Sequence, residues 1–276
     1  MEILIPIEIW NEIDLSVWIK SQNWNENEIT QECCQVINDL KLFPKAILKD
    51  QIIERNNLKE ILISEILGNV LIWKCKNGSI DNFSWYLDGP FKDIINLNFG
   101  SESPFWIACQ EGHIEIVKLL LNNERVDINK ANDHDGWTPF FAVCEKGDIE
   151  IVKLLLNDQR VDINRTENGG ATPFYIVCQN GEIEIVKLLL NDQRIADINK
   201  AINDKPTPLC IACQFGHIEV VKLLLNDKRI VDINQAEGKQ GATSLSIACY
   251  YGHIEIVKLL LNDQRIDINK SNNSGA

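Results

Sequence analysis

The chain has 276 residues, 45% of them hydrophobic and 24% charged, a composition suited to a folded globular protein and not to wholesale disorder. Forty acidic residues against 27 basic ones leave a formal net charge of -13, so the average field repels nucleic-acid backbones and anionic membranes and favours a partner with a basic patch. No apolar run approaches the roughly 18 residues of a membrane helix, and nine cysteines, an odd number in a chain too large to need stapling, point to reduced thiols in a soluble protein of the cytoplasm, a nuclear location being compatible.

Residues 1–67 do not repeat. Glu2 and Glu8 stand among the opening apolar residues with no basic stretch ahead of them, which argues against a secretory signal. Trp10, Trp18 and Trp24, with helical spacing of apolar residues over 28–40 and 44–54, predict a small helical region or cap. The run Ile5-Pro6-Ile7-Glu8-Ile9, followed by Ile13, resembles the opening of an F-box, the helical motif that joins substrate adaptors to ubiquitin ligases. The residues beyond it do not continue that pattern, and plain capping of the segment from residue 68 onward is the other reading.

From residue 100 the chain repeats. The string that opens at Ile114 and runs to Asn122 returns almost unchanged from Ile149, Ile183, Ile218 and Ile254, each copy shortly after a glycine. Those glycines are Gly112, Gly147, Gly181, Gly216 and Gly252, at intervals of 35, 34, 35 and 36 by subtraction. A period of this size indicates a solenoid. Residues 68–99 read as a worn copy, with Cys75, Gly78, Ile80, Leu87 and Asn96 in register with Cys109, Gly112, Ile114, Leu121 and Asn129.

Within one unit, Thr138 can cap a helix whose first position is Pro139, because a side-chain oxygen satisfies a free amide and proline has none to lose. Ser103-Pro104, Thr172-Pro173 and Thr207-Pro208 repeat the device. A short apolar helix then stops at the glycine, which accepts positive φ. In the second helix, Glu115, Lys118 and Asn122 share a polar stripe while Ile114, Val117, Leu120 and Leu121 line the remainder. One helix pair cannot cover so wide an apolar face, and the next pair must.

These residues resemble the ankyrin repeat family. The matching elements in one unit are Gly136, Thr138-Pro139-Phe140, Val143-Cys144, Gly147, Ile149-Glu150-Ile151-Val152, Leu154-Leu155-Leu156 and Asp162-Ile163-Asn164. The resemblance implies a mainly α fold, a solenoid of stacked helix-turn-helix units with hairpin loops. It implies five full units over 100–276, ending at the start of a missing further one, after a degenerate repeat at 68–99. The sequence departs from the family in two places. Trp106, Phe141, Tyr175, Cys210 and Ser246 stand where a histidine is usual, and Gln159-Arg160-Val161 or its equivalent replaces the usual Gly-Ala.

The resemblance also implies a noncatalytic scaffold that takes a protein partner on a concave face of hairpins and first-helix ends. The candidate partner-binding residues there are Trp106, Glu111, Trp137, Phe141, Lys146, Tyr175, Phe215, Tyr250 and Tyr251. Trp137, Phe215, Tyr250 and Tyr251 are the preferred anchors, since exposed aromatic side chains dominate interface hot spots. Cys75, Cys109, Cys144, Cys178, Cys213 and Cys249 share one position that wants a small buried hydrophobe, and the isolated Cys210/Cys213 pair lacks a second pair to complete a zinc site. His113, His217 and His253 recur about one repeat apart, roughly 10 Å, too far to share an ion. No nucleophile elbow or phosphate loop is present. The sequence therefore predicts no enzyme, no cofactor and no metal. It predicts a monomer unless the C-terminal helix pair, which lacks a polar capping repeat, associates through its apolar side.

Overall fold

The computed structural model describes residues 68–81, 83–88, 96, 101–199, 206–230, 232–235 and 241–270. The cap expected over 1–67, with its F-box-like opening, lies outside the described residues. So do hairpin residues 200–205 and 236–240, and residues 271–276.

Residues 68–77 are helical and α1 (Phe83–Asp88) comes after them. Five helix pairs come next: α2 (Pro104–Glu111) with α3 (Ile114–Leu121), α4 (Pro139–Lys146) with α5 (Ile149–Leu156), α6 (Pro173–Asn180) with α7 (Ile183–Asn191), α8 (Pro208–Phe215) with α9 (Ile218–Asn226), and α10 (Ser244–Tyr250) with α11 (Ile254–Leu261). Among the described residues there is no strand.

Each first helix begins by the capping device read from the sequence. Ser103, Thr138, Thr172, Thr207 and Thr243 stand in extended backbone and accept a hydrogen bond from the amide three residues on. Removing such a cap costs about 1 kcal/mol. Gly112, Gly147, Gly181 and Gly216 close the helices in the left-handed region, where a side chain would be strained. The last unit differs: Tyr251, in right-handed conformation, caps α10, and Gly252 comes next with positive φ.

The second helices carry their polar stripe outward, where Lys118 donates to Glu115 at 2.7 Å and the same pair recurs in every copy. The apolar side packs inward and onto the next unit. Successive first helices lie against one another, α2 on α4, α4 on α6, α6 on α8 and α8 on α10, and successive second helices do so less closely. Val117, Val152, Val186 and Val221, with Leu120, Leu155, Leu189 and Leu224, are wholly buried between them. Each buried side chain of this size contributes roughly 1.5–3 kcal/mol. The mainly α stack expected from the sequence is the architecture observed, and its core is one continuous column.

Candidate interaction surface

The first-helix ends form a row along the stack, and the structure divides the candidate residues on it into three groups. Phe215, Tyr250 and Tyr251 project from the ends of α8 and α10, at 50%, 84% and 50% exposure. Glu111 and Lys146 are exposed as well. Trp137 is half-buried, its ring tilted against Phe141 with centroids 5.1 Å apart.

Trp106, Phe141 and Tyr175 are corrected from surface residues to core residues, each less than a tenth exposed. Each stands three residues before a buried cysteine, Cys109, Cys144 or Cys178, so helical spacing turns it to the same inward face. That spacing was visible in the sequence. Desolvation is the main cause that pushes the Tyr175 hydroxyl up to about 12. Burial likewise raises the thiols of Cys75, Cys109, Cys144, Cys178 and Cys213, which fits small apolar fillers and not nucleophiles.

A tether between units explains which first-helix ends are free. In every first helix but α10, the carbonyl of the next-to-last residue receives a donor from the following unit, and two different positions supply it. His113, His217 and His253 bring Nε2 to the carbonyls of Lys76, Gln179 and Gln214, at 2.8–2.9 Å. A carbonyl only accepts, so Nε2 carries the proton in each case. Where the residue after the glycine is Asp148 or Glu182, the residue before it takes over: Lys146 Nζ donates to Gln110 and Asn180 Nδ2 to Glu145. Lys146 is therefore engaged in the scaffold although its side chain is exposed. Glu111, Phe215 and Tyr251 are released from that duty. The histidine rings also support the aromatics, Phe215 on His217 and Tyr251 on His253, with ring planes 14° apart.

A second set of bonds locks the outer loops, and sequence reasoning missed it. Arg160, Arg194, Arg229 and Arg265 each pair with the aspartate two residues earlier, at 2.6–2.7 Å. Each also donates Nη2 to the last turn of the preceding second helix, at the carbonyls of Leu121, Leu156, Leu190 and Leu225. A cation there satisfies orphan carbonyls and opposes the negative helix end. Beside them, Asn129, Asn164, Asn199 and Asn234 donate to the carbonyls of Arg160, Arg194, Arg229 and Arg265 in the next unit. The replacement of the usual Gly-Ala by Gln-Arg was the available signal, since it placed a long cation in every loop.

The hairpins join the same stack. The Asn132 amide donates to Trp137 and the Glu167 amide to Ala171 within their loops, while the Asp133 and Asn168 amides donate to Ser101 and Asp135 of the preceding ones. No group of three or more His, Cys, Asp or Glu residues that could hold a metal occurs among the described residues. Nor is any helix among them long and apolar enough to cross a membrane.

Self-similar helix pairs, joined by equivalent tethers and leaving a row of side chains free of structural duty, define a solenoid repeat protein of the kind that serves protein–protein interaction. A family profile described as ankyrin repeats, in three copies, matches residues 71–167, 105–204 and 175–272. These overlapping spans cover most of the chain, which belongs to the ankyrin repeat family. A search of curated proteins finds no match.

Proposed function

We propose that the chain is a noncatalytic scaffold that grips a partner protein on the face formed by its hairpins and first-helix ends. The observation that carries this reading is the set of exposed aromatics, Phe215, Tyr250 and Tyr251, on a rigid support that does not need them. Trp137 adds apolar surface at the hairpin edge. The closer approach of first helices than of second helices narrows the stack on this side and favours a concave groove. Because the face is preformed, little ordering cost is set against contact energy on binding. The net charge of -13 favours a partner with a basic patch. On this reading the scaffold is a monomer unless the apolar side of its last helix pair associates, it acts in the cytoplasm or nucleus, and its partner is a protein and not nucleic acid or membrane.

The test begins with proximity labelling to obtain the partner, followed by alanine replacement of Trp137, Phe215, Tyr250 and Tyr251. Each anchor contributes roughly 2 kcal/mol when desolvated, so affinity measured by calorimetry falls at least about 100-fold while circular dichroism stays unchanged. Unchanged affinity in the folded variant removes this face from consideration.

The F-box-like run from Ile5 to Ile9 supports a second reading, an adaptor that presents its bound protein for ubiquitination. Capture of ligase core subunits, abolished by substitution of Pro6 and Ile9, distinguishes it from a plain scaffold. Captures that contain no ligase subunit dispose of it.

A further inference from the structure

The row of first-helix ends changes chemistry along the stack while its geometry stays the same. Three places recur in each unit: the two residues before the turn glycine and the one after it. In the last two units these places hold Phe215, Tyr250 and Tyr251. Phe215 and Tyr251 are equivalent, and both are 50% exposed. Phe215 has a further unit stacked beyond it, so this exposure belongs to the position and not to the end of the stack. Each ring lies parallel to a histidine, with planes 14° apart, and Tyr250 meets Tyr251 edge-on at 5.1 Å. The aromatic faces are thus held in place before anything binds.

In the units of α2, α4 and α6 the same places hold Glu111, Glu145, Asp148 and Glu182. None of these four carboxylates forms an ion pair among the described residues, whereas Glu150 and Glu184, at the start of the second helices, are each paired with a lysine three residues on. The cation at these places, Lys146, is held by the Gln110 carbonyl. Contacts fix the order along the row. Glu182 fills the space beside Gly147, and His217, stacked with Phe215, fills the equivalent space beside Gly181 one unit on. Carboxylates and rings therefore form one line.

Two features of that line select its occupant. An aromatic face attracts a cation through its ring quadrupole, and an unpaired carboxylate attracts one by charge. An apolar anchor would gain from the rings and not from the carboxylates, and an anion is repelled by both. Arginine suits the pair better than lysine, because its flat guanidinium stacks on a ring and binds a carboxylate through two N–H groups. Stacked units stand about 10 Å apart and an extended chain rises about 3.3 Å per residue, so every third residue of such a chain meets one unit. We propose that this row takes an extended, arginine-bearing segment of the partner, its arginines about three residues apart, set over Phe215 and Tyr251 and beside Glu182, Glu145 and Glu111. The proposal rests on the reading of this face as protein-binding and names the chemistry that it recognises.

The experiment measures binding of labelled peptides to the full chain by fluorescence anisotropy. The first peptide has about 12 residues, with arginine at every third position and glycine and serine between. One control has the same composition with its arginines contiguous, and the other carries lysine in place of arginine. The first peptide is expected to bind tightest. Phe215→Leu with Tyr251→Leu keeps apolar bulk and removes the rings, and lowers its affinity about 10-fold. Glu111→Gln, Glu145→Gln and Glu182→Gln together keep shape and lower it about 10-fold at low salt, and by less at high salt. Circular dichroism checks the fold of both variants, and where a combination disturbs it the single substitutions are read instead, each with a share of the loss. Absence of binding, affinity unchanged in either variant, or affinity equal to that of either control peptide overturns the proposal. If the partner obtained by proximity labelling still loses affinity on alanine replacement of the aromatics, the binding face stands and only its arginine chemistry is lost.

Discussion

Asp192 and Arg194 show how much one pair of side chains does in this stack. The Arg194 guanidinium binds the Asp192 carboxylate and reaches back to the carbonyls of Leu156 and Asp158 in the unit before. The hydrogen bond from Arg194 is the chief reason that the Asp192 carboxyl stays below its usual range, and Asp158, Asp227 and Asp263 are lowered the same way by Arg160, Arg229 and Arg265. A carboxyl depressed in the folded state binds fewer protons there than in the unfolded chain. Its stabilisation is present above the unfolded value of about 4 and is lost as pH falls through the folded value. Urea midpoints are therefore expected to drop as pH is lowered below about 4, and the slope in that window to flatten in Asp192→Asn. A slope unchanged by that substitution would show that the pair does not carry the acid sensitivity.

At the scale of the helix, the unit's ends are where function and scaffold compete for the same residues. Either the residue before the turn glycine or the one after it must reach the carbonyl of the preceding unit, as Lys146 and His217 respectively do. His217→Ala is expected to cost about 1 kcal/mol, the net value of one hydrogen bond. Adding Phe215→Lys to that variant supplies the donor that Lys146 supplies elsewhere and recovers most of the loss, read as thermal midpoints across the double-mutant cycle. Two independent, additive losses would mean that the two positions do not substitute for each other. The first-helix boundaries, by contrast, were legible in advance, because Thr-Pro at one end and glycine at the other are local signals with local causes.

Across the whole molecule, the cost of a substitution depends on a unit's place in the stack more than on its sequence. Val152 and Val257 belong to identical eight-residue helices, yet Val152 is wholly buried between neighbours while Val257 is only partly covered. Val152→Ala is expected to cost about 2 kcal/mol or more through the cavity it leaves. Val257→Ala is expected to cost less than half as much, with denaturant unfolding as the measurement. Equal losses would mean that the end unit is covered in solution.

The sequence by itself determined the period, the helix boundaries, the family and the inward place of the repeated cysteines except Cys249, which was expected to be buried and is exposed in the last unit. Each of these rests on short-range chemistry, whether a cap, a left-handed glycine or the 3.6-residue spacing of apolar side chains. The same spacing already pointed Trp106, Phe141 and Tyr175 inward, but only the tertiary structure decided that Lys146 is a tether while Phe215 and Tyr251 are free. It alone showed the arginines fastening each unit to the one before. Those outcomes depend on contacts between residues 30 to 40 positions apart, and such contacts exist only once one helix pair has been laid on the next.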